Sequence, residues 1–141
     1  MTEMQIGAGG RPPKVLIIED EQGLVDILTV NLEAAGLRVV SAYDGLAGWQ
    51  TFERELPDLV ILDINLPVVS GFRLLQWFRD SERPHVPVLA ITALDFSEAE
   101  ELARNGLDAF VSKPFQPEDV VRAVLRLLEQ TAGRDSHVAG R

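Results

Sequence analysis

Residues 59–72 read LVILDINLPVVSGF. The unbroken aliphatic run Leu59–Leu62 suits a strand buried on both faces, the habit of a parallel sheet. The run stops at an acid, Asp63. Further on, Ser70-Gly71 offers a helix cap, and Phe72, Leu75 and Phe78 then recur at helical spacing. The stretch predicts strand, short loop and helix, with a carboxylate at the carboxyl end of the strand.

The same texture repeats on either side. Apolar runs at Val15–Ile18, Leu37–Val40, Val86–Ile91 and Ala109–Val111 fit further strands. Helical stripes follow them: Leu24, Ile27, Leu28 and Leu32, then Leu46, Trp49 and Phe52. A weaker stripe comprises Ala99, Leu102 and Ala103, and the strongest Val120, Val121, Val124, Leu125 and Leu128. Gly36 suits a C-cap, Asp44-Gly45 a helix start and Leu56-Pro57 a helix stop. Pro84 and Pro87 bracket the loop before the fourth strand. Five strand–helix pairs within residues 14–131 predict an α/β fold, (βα)5. Right-handed crossovers then place helices on both faces of one parallel sheet.

Composition bounds the function. A chain of 141 residues makes one domain at roughly 150 residues per domain. Hydrophobic residues at 46% and charged residues at 25% exclude a disordered or collagen-like chain. The absence of cysteine excludes disulfides, thiolate metal sites and a cysteine nucleophile. Thirteen basic against 22 acidic side chains give a net charge of −9, which opposes direct binding of nucleic acid. Met1–Pro13 holds no apolar signal core, and Val86–Leu94 is far shorter than the ~20 residues of a membrane span. A soluble, cytoplasmic protein without membrane association is expected. Residues 1–13 are expected to form a disordered leader, 14–131 the domain, and 132–141 a flexible tail or the start of a linker.

Ligands of an open parallel sheet bind beyond the carboxyl ends of its strands. There stand Glu19, Asp20 and Glu21 after the first strand, Asp63 after the third, Thr92-Ala93 after the fourth and Ser112-Lys113-Pro114 after the fifth. Each has a bland explanation. Asp20 and Glu21 suit a helix N-terminus, Asp63 a loop, Thr92 a packed strand and Lys113 solvent. Those explanations do not account for acids, a hydroxyl and an amine from four strands falling on one edge. Clustered carboxylates repel unless a cation joins them, so the folded pKa of at least one should rise. Without cysteine or paired histidines, oxygen ligands suit Mg²⁺ rather than zinc. A carboxylate beside such a cation can attack phosphorus and form an aspartyl phosphate. Phosphoryl transfer needs mainly positioning and charge neutralisation.

Four segments in order, VLIIEDE (15–21), LVILDINLPVVSGF (59–72), AITA (90–93) and GLDAFVSKPF (106–115), resemble the receiver domain of bacterial two-component response regulators. Asp63, Pro67 and Gly71 reproduce its D-x-x-x-P-x-x-x-G spacing. The resemblance covers residues 14–131 and implies a flavodoxin-like, doubly wound five-stranded sheet of order 2-1-3-4-5. It implies that Asp63 accepts phosphoryl from a histidine kinase or phosphotransfer protein. It also implies Mg²⁺ held by the carboxylates of Asp20 and Asp63 and the backbone carbonyl of Asn65, with Glu19 acting through water. Thr92 becomes the switch hydroxyl, Lys113 the partner of a phosphoryl oxygen, and Ala93 a small residue that keeps access open. The bond to Pro114 is expected to be cis. Phe110 stands at the switch aromatic, often Tyr in the family, and is expected to lie inward part of the time.

By the same resemblance the output face is the fourth helix, fifth strand and fifth helix, acting on a downstream effector or a C-terminal output domain. Either a monomer or a dimer formed on phosphorylation is expected. Ala109, Ala123 and Leu125 depart from the acid and basic pair of many winged-helix members, which leaves the output class open. Three other readings compete. A haloacid-dehalogenase-type phosphatase needs D-x-D, but Ile64 and Asn65 follow Asp63. A flavin carrier needs a Ser/Thr/Gly-rich loop where Glu19-Asp20-Glu21 stands. A pseudo-receiver that only binds partners should lack chemical positions that are present here.

Overall fold

The computed structural model describes residues 10–93 and 95–139. The strands are β1 (Lys14–Ile18), β2 (Arg38–Ala42), β3 (Leu59–Leu62), β4 (Val88–Thr92) and β5 (Ala109–Ser112). The helices are α1 (Gln22–Ala34), α2 (Gly45–Glu55), α3 (Gly71–Arg79), α4 (Phe96–Arg104) and α5 (Pro117–Ala139). All four strand pairings are parallel, in the order β2-β1-β3-β4-β5.

Side chains alternate across a strand, so the aliphatic runs feed two cores. Leu16, Ile18, Val60, Leu62, Val88 and Ala90 face the layer of α2, α3 and α4, packing with Phe52, Leu74, Leu75, Phe78 and Leu102. Val15, Ile17, Leu59, Ile61, Leu89 and Ile91 face the layer of α1 and α5, packing with Val25, Leu28, Leu32, Val120 and Val124. The expected strands form, with β2 and β4 shifted toward their carboxyl ends. Pro87 lacks an N–H, so Val86 stays outside the ladder and β4 starts at Val88.

Caps form where the sequence places them. Asp44 accepts from the Ala47 N–H at 2.8 Å, and Ser70 from that of Arg73 at 3.2 Å. Gly36 takes the left-handed conformation just past α1 (φ 91°). In α1 the buried face is Val25, Leu28 and Leu32, whereas Ile27 is 50% exposed. Ile27 and Leu28 stand three and four residues after Leu24, both at helical spacing from it, so that part of the apolar pattern leaves the rotation of α1 open. The loose segment expected from residue 132 is helical as far as Ala139. Gly133 costs about 1 kcal/mol in a helix but does not end one. Of the expected leader, residues 1–9 lie outside the described residues. Pro12 and Pro13 already belong to the fold, their carbonyls accepting from the Arg38 side chain and N–H.

Two features fix the framework around the strand ends. A β-carbon added at Gly71 would meet the Ile64 Cα at 2.5 Å and the Asp63 carbonyl oxygen at 3.0 Å, so α3 starts hard against the loop that follows β3. At the other end of α3, Arg79 donates from Nε and Nη2 to the Gly106 carbonyl (3.0 and 2.6 Å). Its Nη1 donates to the carbonyls of Pro84 (3.0 Å) and Val86 (2.7 Å). Nη2 also pairs with Asp108 at 2.8 Å, and the same carboxylate oxygen accepts from the Val88 N–H. One guanidinium thus joins α3, the entry to β4 and the turn between α4 and β5.

Candidate functional site

Register brings the chemistry together. Ile18 pairs with Leu62, so Glu19 and Asp63 leave the sheet side by side. The Asp63 N–H donates to the Ile18 carbonyl at 3.0 Å. Thr92 pairs with Ser112, and the Lys113 N–H donates to the Thr92 carbonyl at 3.1 Å. Among the described residues four polar or charged side chains are buried, and Glu19, Asp63 and Thr92 are three of them. A core does not place polar groups together without partners.

Their partners are local. Lys113 Nζ donates to Glu19 Oε1 at 3.2 Å and to Asp63 Oδ2 at 3.4 Å. The second oxygen of Glu19 accepts from the Glu21 N–H at 3.1 Å, and Asp63 Oδ1 from the Asn65 N–H at 2.9 Å. Asn65 Nδ2 donates to the Thr92 hydroxyl at 3.1 Å, tying β3's loop to β4. Asp20 is exposed, yet one carboxylate oxygen each from Glu19, Asp20 and Asp63 lies within 4.8 Å of the others. That all-oxygen acidic cluster fits a hard divalent cation such as Mg²⁺.

Ala93 is exposed beside Thr92 and carries nothing beyond Cβ. The Lys113–Pro114 peptide is cis. Phe110 does not join the cluster. It pairs with Ala90 on the edge strand and stands outward, 44% exposed, where an inward population was expected. As an edge strand β5 has a neighbour on one side only, and its alternate residues face solvent. The side-chain amide of Asn65 went unread in the sequence, which pointed only to its carbonyl.

The electrostatics depart from expectation in their cause. Burial is the main force that raises the Glu19 carboxyl to about 7. The Glu21 N–H opposes it, and the charge of Asp63 adds to it only as a smaller contribution. Burial also works against the charge on Lys113, but Asp63 and then Glu19 outweigh it and raise its pKa. For Glu19 the consequence for stability has a definite sign. Between its ordinary value of 4.5 and about 7, the folded chain holds a proton that the unfolded chain has lost. Stability should therefore fall as pH rises through that interval and level off above it. Urea unfolding at pH 5 and pH 8 in chelator should show the decline, and Glu19→Gln should flatten it. An unchanged slope in that variant would contradict the assignment.

The profile of the response regulator receiver domain matches residues 15–125. The chain belongs to this family. Over 121 residues the receiver is 38% identical to the DNA-binding dual master transcriptional regulator RpaA of Synechocystis, covering 84% of this chain and 50% of that protein. It is 35% identical over 105 residues to the polar-differentiation response regulator DivK of Brucella anthropi, covering 73% of this chain and 85% of that one. Its fold matches the chemotaxis response regulator CheY4 of Vibrio cholerae with a TM-score of 0.77 at 27% identity, covering 81% and 97% of the two chains. The chain spans about half the length of the first curated relatives it matches. Receiver domains are signalling switches of two-component systems rather than enzymes that turn over a substrate. Among the described residues no helix is long and apolar enough to cross a membrane.

Proposed function

We propose that this receiver takes a phosphoryl group onto Asp63 from the phosphohistidine of a sensor kinase or phosphotransfer protein. The observation that carries the reading is the buried Asp63 carboxylate with the Lys113 ammonium at 3.4 Å, beside two further acids. An Asp63 oxygen attacks phosphorus as the phosphorus–nitrogen bond of the donor breaks, and the freed imidazole keeps the electron pair and takes a proton. Lys113 gives an N–H to a phosphoryl oxygen and offsets the added charge. Asp20 and Asp63, with the backbone carbonyl of Asn65, would hold Mg²⁺, and Glu19 would act on it through water. Bound there, the cation neutralises the carboxylates and the phosphoryl oxygens. Ala93 leaves the phosphoryl group room.

Output follows from differential contact, because a ligand shifts two states only by binding them unequally. The Thr92 hydroxyl can bond the phosphoryl group in one position of β4, and the outward Phe110 can turn into the space that Thr92 leaves. That rearrangement acts on the α4–β5–α5 face. Its receiver is a downstream effector or an output domain of a longer cytoplasmic protein, reached by the monomer or by a dimer formed on phosphorylation. The transcriptional regulators among the relatives, twice the length of the match, support this reading.

Incubation with acetyl phosphate and Mg²⁺ should add the mass of one phosphoryl group, removable by hydroxylamine. Asp63→Asn should take up none. Equal uptake by that variant would overturn the proposal.

A further inference from the structure

We propose that the outer face of α2, together with the end of α3, is a docking groove for a basic amphipathic helix of a partner protein. The groove lies on the α2–α3 side of the sheet, and Asp63 is not among the residues that line it. It encloses about 580 Å³. Leu46, Trp49, Glu53 and Leu56 recur along one face of α2 and line it, opposite Trp77 of α3. An 11-residue helix such as α2 is about 16 Å long at 1.5 Å per residue. That is a stripe rather than a spot, and it suits a second helix laid alongside.

The two ends of the stripe are apolar where they meet solvent, with the exposed Glu53 between them. Leu46 is 48% and Leu56 60% exposed, one at each end of α2. Leu56 also sits in the left-handed region (φ 50°), at the helix stop where glycine is usual. Exposure and backbone both disfavour leucine there in the isolated domain, and covering the side chain would recover the first cost. Between these ends the floor is fixed. Phe52 packs on Phe78 with ring centroids 4.5 Å apart, and Trp49 meets Trp77 at 5.6 Å and 71°. Rings held this way offer contact area at little entropic cost, as binding hot spots do.

Charge selects the occupant. The exposed carboxylates of Glu53, Asp80 and Glu82 line the rim. Arg83 is the one cation lining the groove; its buried Nη1 has no hydrogen-bond partner, but the three carboxylates outnumber it. Its guanidinium lies 5.8 Å over the Phe52 ring, half-buried and in the field of Asp58. An anionic ligand would meet the three acids. A second copy would bring the same acids against themselves, because a two-fold interface pairs a patch with its own image. A helix with leucine or aromatic anchors flanked by lysine or arginine satisfies both the stripe and the rim.

Trp49 and Trp77 are the only two tryptophans of the chain, so their emission reports the groove directly. The probe is a synthetic Leu/Lys amphipathic helix, titrated into the full 141-residue chain in chelator without phosphodonor, beside a Leu/Glu peptide of the same pattern. The Leu/Lys peptide should shift the emission with one-to-one stoichiometry. The double variant Leu46→Lys/Leu56→Lys, two exposed positions, should bind at least tenfold more weakly with unchanged circular dichroism. Glu98→Lys on α4 adds the same two positive charges and should bind as wild type does. An equal loss in Glu98→Lys would mean diffuse attraction and overturn the proposal. So would an unchanged emission, tighter binding of the Leu/Glu peptide, or a dimer by sedimentation that the double variant dissolves.

Discussion

Arg79→Met should lower folding stability by about 3–5 kcal/mol. The methionine keeps the apolar stem and removes all five bonds of the guanidinium. The carbonyls of Pro84, Val86 and Gly106 then lose the donors that Arg79 gave them. Asp108 keeps the Val88 N–H but loses its cation. Each polar group left buried and unpaired costs about 1–3 kcal/mol. Because Arg79 and Asp108 are only part-buried, water repairs some of that loss, which keeps the total below the simple sum. Arg79→Lys should rescue little, since one ammonium cannot reach what a planar fork reaches. Urea unfolding checks both variants, and a loss under about 1 kcal/mol for Arg79→Met would contradict the argument.

Gly71→Ala should cost about 2–4 kcal/mol. The obstacle is space, since Gly71 is not among the residues with positive φ. The new β-carbon would stand 2.5 Å from the Ile64 Cα, 2.9 Å from the Ile64 Cδ1 and 3.0 Å from the Asp63 carbonyl oxygen. Two of those atoms are backbone and cannot rotate away, so the loop or the start of α3 must move. Movement there displaces Asp63, and uptake of phosphoryl from acetyl phosphate should slow along with the loss of stability. Gly23→Ala is the matched control. Nothing lies within 4 Å of its added carbon, and α1 should gain up to about 1 kcal/mol. If Gly71→Ala and Gly23→Ala melt alike, the close approach at Gly71 is not what the geometry says.

Glycine at position 71 illustrates how far the sequence could be read. Its spacing from Asp63 was plain, but the reason for it lies in an approach between two backbones that no periodicity shows. Asp63, Thr92 and Lys113 were legible because a parallel sheet sends every strand end to the same edge, whatever the register turns out to be. Which member of Glu19-Asp20-Glu21 turns inward was not legible, because all three are equally polar. Glu19 is 1% exposed, and its raised pKa comes first from that burial. Arg79 closes an apolar helical stripe and looks like a solvated residue favoured by the helix dipole. Its partners at Pro84, Val86, Gly106 and Asp108 come together only through the packing of α3 against the sheet. The α2 stripe was visible as helix, but its exposure depends on what lies opposite, and α3 covers only part of it.

The amide of Asn65 has one more implication, through the valence of the hydroxyl it touches. A threonine hydroxyl has one proton to give and two lone pairs to fill. Asn65 Nδ2 fills a lone pair of Thr92 and leaves its proton unspent on Asn65. An oxyanion formed on Asp63 would claim that proton without competing for the amide. Thr92 could therefore answer such an anion while still held by the amide of the exposed Asn65.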